Sequence, residues 1–250
     1  MCQFFSFVTD PINHPAEYYY FDWEYRKAHM EEDGADSHSH ICSHFNLNED
    51  VCNKYEFNPL TKRFEIDQIN SERDDSKAAE KWAQRLDFKT IIEPLIIKPI
   101  VNPFELPAVE HVTDEQIDWL KSWASVRVSV GASVRVSVGA SVRASVGNSV
   151  WNSVGDSVWD SVWNSVGDSV GASVGASVWA SVRNLVGASV GDSVGAYVST
   201  FFAIDHKHDY SSAMKIWEAG LVPSFDGTMW RLHSGKSADI VYEWTPEVQE

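Results

Sequence analysis

His38, His40, Cys42 and His44 lie within seven residues and carry the side chains that most often bind transition metals or move protons near neutral pH. On a helix, His40 and His44 share a face as an i, i+4 pair, a spacing zinc accepts, so these two are the candidate metal ligands. A closed site needs a third and a fourth ligand. His206 and His208, in the run Asp-His-Lys-His-Asp, could supply them by a return of the chain. The plainer reading is a half-buried His38 and two solvated histidines, since the spacing matches no closed zinc motif.

Two further groups could do nucleophilic chemistry. Removal of Met1 would leave Cys2 at the N-terminus, an opening similar to that of the N-terminal-nucleophile amidotransferases, although Gln3 stands where that family has Gly. A small buried thiol on a first strand is the commoner outcome for such a residue. The segment 223–233 gathers Ser224, Asp226, Arg231 and His233, but neighbours in sequence are not neighbours in a site. A turn followed by a strand, with Trp230 and Leu232 alternating against Arg231 and His233, accounts for every residue there.

These residues need elements to position them. Residues 4–8 and 18–21 are aromatic-rich strand candidates of a first hairpin. Residues 55–57 and 63–66 alternate polar and apolar around Asn58-Pro59-Leu60-Thr61 and predict a second. His38, Ile41, Cys42 and Phe45 fall at i, i+3, i+4 and i+7 behind Asp36 or Ser37, which predicts a short capped helix. Asp75 or Ser76 opens another helix through Leu86. Four prolines in 87–107 predict an extended connector. Thr113 and Gln116 form a capping-box start. Towards the end, Ser211 or Ser212 opens a helix stopped by Gly220, and strands follow at 229–233 and 240–244.

Between these segments runs a tandem Ser-Val-x-x array, residues 125–196. Val holds the second place of every unit, and Leu185 alone interrupts Ser at the first. The third place takes Arg, Gly or Trp, and the fourth Ala, Val, Asn or Asp. A place that accepts Gly, Arg and Trp alike is hard to pack in an interior, which puts the third place outside and Val inside. In an extended backbone the fourth place shares the face of Val. The unit then resembles the pentapeptide-repeat family, in which four units make one coil of a square right-handed β-helix; here the unit is one residue shorter and its central residue is Val. The resemblance covers about a third of the chain. The rival is a long α-helix, disfavoured by the ten third-place glycines at roughly 1 kcal/mol each.

The expected architecture is therefore α+β caps flanking a repeat β-solenoid, with a long helix as the alternative. The expected divisions are 1–107, an entry helix at 108–124, the array at 125–200 and a helix-plus-hairpin unit at 201–250. The net charge of −16 lies in the flanks, because the array's four Arg balance its four Asp. Acidic flanks disfavour nucleic acid and anionic membrane surfaces as partners. Three cysteines without paired spacing fit a reducing compartment. The N-terminus has no basic stretch ahead of its apolar run, and residues 91–101 are broken by Glu93, Pro94, Lys98 and Pro99. A cytoplasmic protein is expected.

The opening Met-Cys-x-Phe-x-Ser-Phe-Val, the Asn-Lys-Tyr-Glu-Phe-Asn-Pro-Leu-Thr-Lys hairpin, the Ser-Val-Trp-Asp/Ala array and the closing Gly-Leu-Val-Pro-Ser-Phe-Asp-Gly together resemble uncharacterised proteins of bacteria and their phages. No activity comes with that resemblance. The functional expectation is a non-enzymatic scaffold or interaction protein without a cofactor. Its binding residues would be the outward Trp151, Trp159, Trp163 and Trp179, met by a protein partner on the outer face of the array. An enzyme built on Cys2 or on a histidine metal site is the competing class.

Overall fold

The computed structural model describes residues 5–14, 17–29, 36–130, 140, 148–174, 176–206 and 208–246. The chain divides into two units: Met1–Pro99 with Val142–Val154 and Phe201–Ile204, and Ile100–Ser141 with Gly155–Thr200 and Asp205–Glu250.

In the first unit both expected hairpins form and join into one antiparallel sheet. β1 (Phe5–Thr9), β2 (Tyr18–Tyr19), β3 (Asn53–Asn58) and β4 (Arg63–Gln68) lie in the order β2-β1-β3-β4. Pairing of Phe7 with Tyr55 and of Phe57 with Phe64 fixes the register. Asn58 Oδ1 accepts from the Leu60 and Thr61 N–H groups and closes the β3–β4 turn. The helices are α1 (Trp23–Ala28), α2 (His38–His44), α3 (Ser76–Ala83) and α4 (Phe88–Ile91). Ser37 caps α2 by accepting from the His40 N–H, as its sequence position predicts. The connector after α3 is less extended than its prolines suggest, since it holds α4 and a 3-10 turn at Pro103–Glu105. Trp82 of α3 packs against Phe5, Phe7, Tyr18 and Tyr20, its ring 4.1 Å from that of Tyr18.

The array is not a solenoid. α5 (Asp114–Val130) runs from the entry segment into the repeats, and α6 (Asn148–Val174) and α7 (Ala176–Ser199) carry most of the rest. The capping box forms in both directions: the Thr113 N–H donates to Gln116 Oε1, and the Gln116 N–H donates to Thr113 Oγ1. Among the described residues the strands form two small antiparallel sheets. Neither a β-solenoid nor a pentapeptide-type coil occurs among the described residues.

Burial along α6 and α7 shows why the helix wins. Each residue advances about 100° around a helix, so the fourth place sits opposite Val while the first and third flank it. Val158, Val162, Val166 and Val170 are buried, Asn164, Asp168 and Ala172 are exposed, and Ser165, Ser169, Gly167 and Gly171 are half-buried. Even an apolar fourth place points to water: Val128 is 83% exposed. An extended backbone would have placed it beside the buried Val. Each buried Val contributes about 1.5–3 kcal/mol, more than the roughly 1 kcal/mol that a Gly costs a helix. Two buried serines of α7 hydrogen-bond back to their own helix, Ser189 Oγ to the Val186 carbonyl at 2.8 Å and Ser199 Oγ to that of Ala196 at 2.6 Å.

The third place is correspondingly a flank position, half-buried at Trp159, Trp163, Gly167, Gly171 and Gly187 and exposed at Arg183. Trp163 is half-buried, and a Cβ added at Gly187 would lie 3.3 Å from its Cη2. Trp163 and Gly187 are thus complementary in size where they meet. Gly187→Val should lower stability by about 1–3 kcal/mol through overpacking, despite a gain in helix propensity of under ~1 kcal/mol. The midpoint of urea unfolding checks this. A Gly187→Val protein as stable as the wild type would show that the contact at 3.3 Å is not close-packed.

In the second unit α8 (Ser211–Glu218) precedes an antiparallel sheet of β5 (Leu221–Phe225), β6 (Trp230–Ser234) and β7 (Asp239–Trp244) in the order β5-β6-β7. Gly220 adopts φ +75°, which a helix stop of this kind requires. Trp217 anchors α8: its ring lies 4.6 Å from that of Tyr197, and its Nε1 donates to the Val101 carbonyl.

Candidate functional site

The structure places His40 and His44 one turn apart on α2, with Tyr25 of α1 against both rings at 6.0 and 4.7 Å. His40 Nε2 is 2.6 Å from the Tyr25 hydroxyl, and His44 meets Phe21, Tyr25 and Phe45 edge-on. His29 stacks on the other side of this group, its ring 4.0 Å from that of Tyr25. His38 is buried and bonds elsewhere, to the Tyr55 carbonyl at 3.0 Å and to the Asp67 carboxylate at 3.2 Å. The arrangement is an aromatic stack that includes His29, with the His40 and His44 imidazoles edge-on to it. Among the described residues no group of three or more His, Cys, Asp or Glu is placed to hold a metal ion. Cys2 lies outside the described residues.

In the second unit Ser224 Oγ and His233 Nε2 are 2.7 Å apart, the distance expected of a nucleophile and its base. His233 Nδ1 donates to the Ala238 carbonyl at 3.0 Å, which leaves Nε2 to accept from the serine. Burial pushes the imidazole down to about 4, with the nearby Arg231 adding to the shift and the Ala238 bond opposing it. Both side chains are fully enclosed between β5 and β6, so no substrate meets Ser224 Oγ in this conformation. The rest of the segment has structural partners too. Arg231 donates to Asp226 at 2.6 Å and to Glu243 at 3.0 Å, and Asp226 accepts from the Thr228 and Met229 N–H groups to close the turn. The segment is the end of β5, a turn and then β6, so Ser224 lies in a strand and not in the expected turn.

Of the four candidate tryptophans, Trp159 and Trp163 lie one turn apart on α6, half-buried and stacked at 5.6 Å with ring planes 9° apart. Trp151 and Trp179 fall on α6 and α7, and their side chains lie outside the described ones. Beside the exposed fourth-place row, Asp168, Ser169 and Ala172 line an open cleft with Ser237, Asp239 and Ile240. No helix of the described residues is long and apolar enough to cross a membrane.

Sequence reasoning missed three constellations. Asp75 Oδ1 accepts from Thr9 Oγ1, Asn53 Nδ2 and the Tyr55 hydroxyl at 3.2, 2.9 and 2.5 Å, binding three strand residues to the start of α3. Burial, then the Asp75 bond, pushes the Tyr55 phenol up. Arg127 Nε donates to Asp192 Oδ2 at 2.7 Å, joining α5 to α7. Cys42 and Cys52, both free and buried, share one cluster with Val8, Phe21 and Ile41. Alternation of residue types in β3 gave a local signal for Asn53 and Tyr55. The other contacts join distant segments and leave no local trace.

No family model, curated protein or solved structure matches the chain.

Proposed function

We propose that the protein is a non-enzymatic scaffold or interaction module whose repeat helices present their fourth-place row to a protein partner. The observation that carries this is the match between variability and exposure. Along α6 the fourth places Asn164, Asp168 and Ala172 face solvent while Val158, Val162, Val166 and Val170 are buried. Such a helix can change its outer chemistry unit by unit without repacking its inner face. Asn164, Asp168 and Ala172 follow one another at four-residue intervals, about 6 Å apart along the axis. The cleft beside Asp168, with Asp239 on its far wall, offers two carboxylates to a basic side chain of that partner.

Site-specific photo-crosslinking in cells tests the reading. A photoreactive residue at position 168 should give a discrete adduct with an identifiable protein, and one at the buried position 162 should give none. Combining Asn164→Arg and Ala172→Arg with the probe should abolish the adduct and leave the melting temperature within about 1 °C, as for exposed positions. No adduct from 168, or an adduct indifferent to both arginines, would remove the fourth-place row as a binding surface.

A further inference from the structure

We propose that the outer edge of β7 takes up an extended, basic segment of the protein partner, which adds to the sheet as a fourth strand and sets a Lys or Arg side chain between Asp168 and Asp239. The inference rests on the reading of the repeat helices as a partner surface and names what that partner brings to it. The sheet of the second unit ends differently on its two sides. The β5 edge is occupied by α7: the Phe225 N–H donates to Ser189 Oγ at 2.8 Å. β7, the other outer strand, pairs with β6, and among the described residues its backbone has no other hydrogen-bond partner. Its six residues, Asp239–Trp244, are all half-buried or exposed. Such an edge is a row of N–H and C=O groups ready to pair with an extended chain, and strand addition is a recurrent mode of peptide recognition.

Charge decides what fits there. Where β7 begins, Asp239 and Asp168 of α6 line the same open cleft. A second cleft continues along the same two walls, between Ser165 of α6 and Lys236 of the β6–β7 turn. The α6 wall from Ser165 to Ala172 spans about 10 Å, the reach of about three extended residues. Asp226 and Glu243 of the neighbouring sheet are already paired with Arg231, whereas Asp168 and Asp239 have no ion pair among the described residues. The second cleft presents both signs, Glu105 and Lys236, so the demand for a positive charge is local to the gap between the two aspartates. The surroundings are acidic as well. Residues 100–124 hold five Asp or Glu against one Lys, and residues 205–250 hold eight against four Lys or Arg. That field draws a basic segment in. It opposes a second copy of this chain, whose own β7 would bring the same Asp239 and Glu243 to the edge.

The test uses the full chain and a defined probe, the end-capped peptide Arg-Val-Thr-Val-Arg-Val. Two controls accompany it: the same peptide with Glu for Arg, and one with two adjacent backbone nitrogens methylated, so that each of its edges loses a donor. The Arg peptide should slow amide hydrogen exchange across β7 at least several-fold and leave β5 unchanged. Both control peptides should bind at least tenfold more weakly. Asp239→Lys should weaken the Arg peptide at least tenfold, and Asp168→Lys, on the other wall, should do so even if the first variant does not fold. No binding at millimolar peptide, binding that leaves β7 exchange unchanged, or binding indifferent to methylation would each overturn strand addition. Protection of β7 that rises with protein concentration alone would make the occupant a second copy and overturn the basic partner. These readouts concern β7, so failure of strand addition and loss of the adduct from position 168 are separate results.

Discussion

Asp192→Ala should cost about 3–5 kcal/mol of stability, the range found when one member of a buried ion pair is removed. Asp192 is completely buried, Arg127 is 16% exposed, and their hydrogen bond measures 2.7 Å. The Arg127 guanidinium also lies 5.8 Å from the ring centroids of Phe225 and Trp230, so its surroundings are aromatic rather than aqueous. Deleting the carboxylate leaves that cation without its partner ion in a largely buried, aromatic setting. The reverse change, Arg127→Ala, leaves a buried carboxylate and should cost a similar amount. Changing both together, as Arg127→Met with Asp192→Ala, should recover much of the loss, because the isolated charge is then gone. Asp168→Ala is the matched control, the same residue type at the same place of the repeat but exposed, and should move stability by no more than about 0.5 kcal/mol. Urea unfolding of the four proteins decides it. Equal effects for Asp192→Ala and Asp168→Ala would mean that the pair contributes no more than a surface contact.

That contrast marks where sequence reading stops. Asp168 and Asp192 are both fourth-place aspartates, and nothing local distinguishes the exposed one from the one that closes on Arg127. Features carried by short-range chemistry were legible. Asn58-Pro59 between alternating runs produced the β3–β4 hairpin, Thr113 and Gln116 produced the capping box, and the i, i+3, i+4 spacing of His38, Ile41 and Cys42 produced the buried face of α2. β5 was missed because Pro223 argues against a strand interior. It forms at the edge of the sheet, paired to β6 alone, where a proline needs no ladder partner on its outer side.

The array was misread for a physical reason. Sorting each place as inside or outside suits an extended chain with two faces. A helix offers a third environment on its flanks, and there Trp163 lies against Gly187. Wide variation in volume signals exposure only when each residue packs alone. Here Trp163 on one helix is matched by Gly187, the smallest residue, on the next. The glycine penalty is real, and the buried row of valines outweighs it.

Acid should destabilise the second unit by about 3 kcal/mol between pH 6.5 and pH 4, through His233 alone. The imidazole is held at about 4 in the folded protein, and an unfolded chain restores it to its ordinary value near 6.5. Within that window the unfolded state binds a proton that the folded state refuses, so stability falls as pH falls. Above 6.5 both states are neutral and the effect vanishes; below about 4 both are protonated and it saturates. His206 is also lowered by burial, against its Ser199 bond and Asp205, and adds to the slope in the same direction. The two are separated by substitution. His233→Gln removes the titration and should flatten the stability profile between pH 4 and 6.5, most of the remaining slope in that window belonging to His206. It should also lower stability at pH 7.5, because Ser224 Oγ and the Ala238 carbonyl lose their 2.7 and 3.0 Å partner in a fully buried place. Carboxylates contribute mainly below the window, as Asp226 and Asp209 are held below the ordinary carboxylate range. Chemical denaturation of the wild type and His233→Gln at pH 4.5, 5.5, 6.5 and 7.5 gives the two curves. Parallel curves would show that His233 takes up its proton as readily in the folded protein as in the unfolded chain, and that the Ser224–His233 pair is open to water.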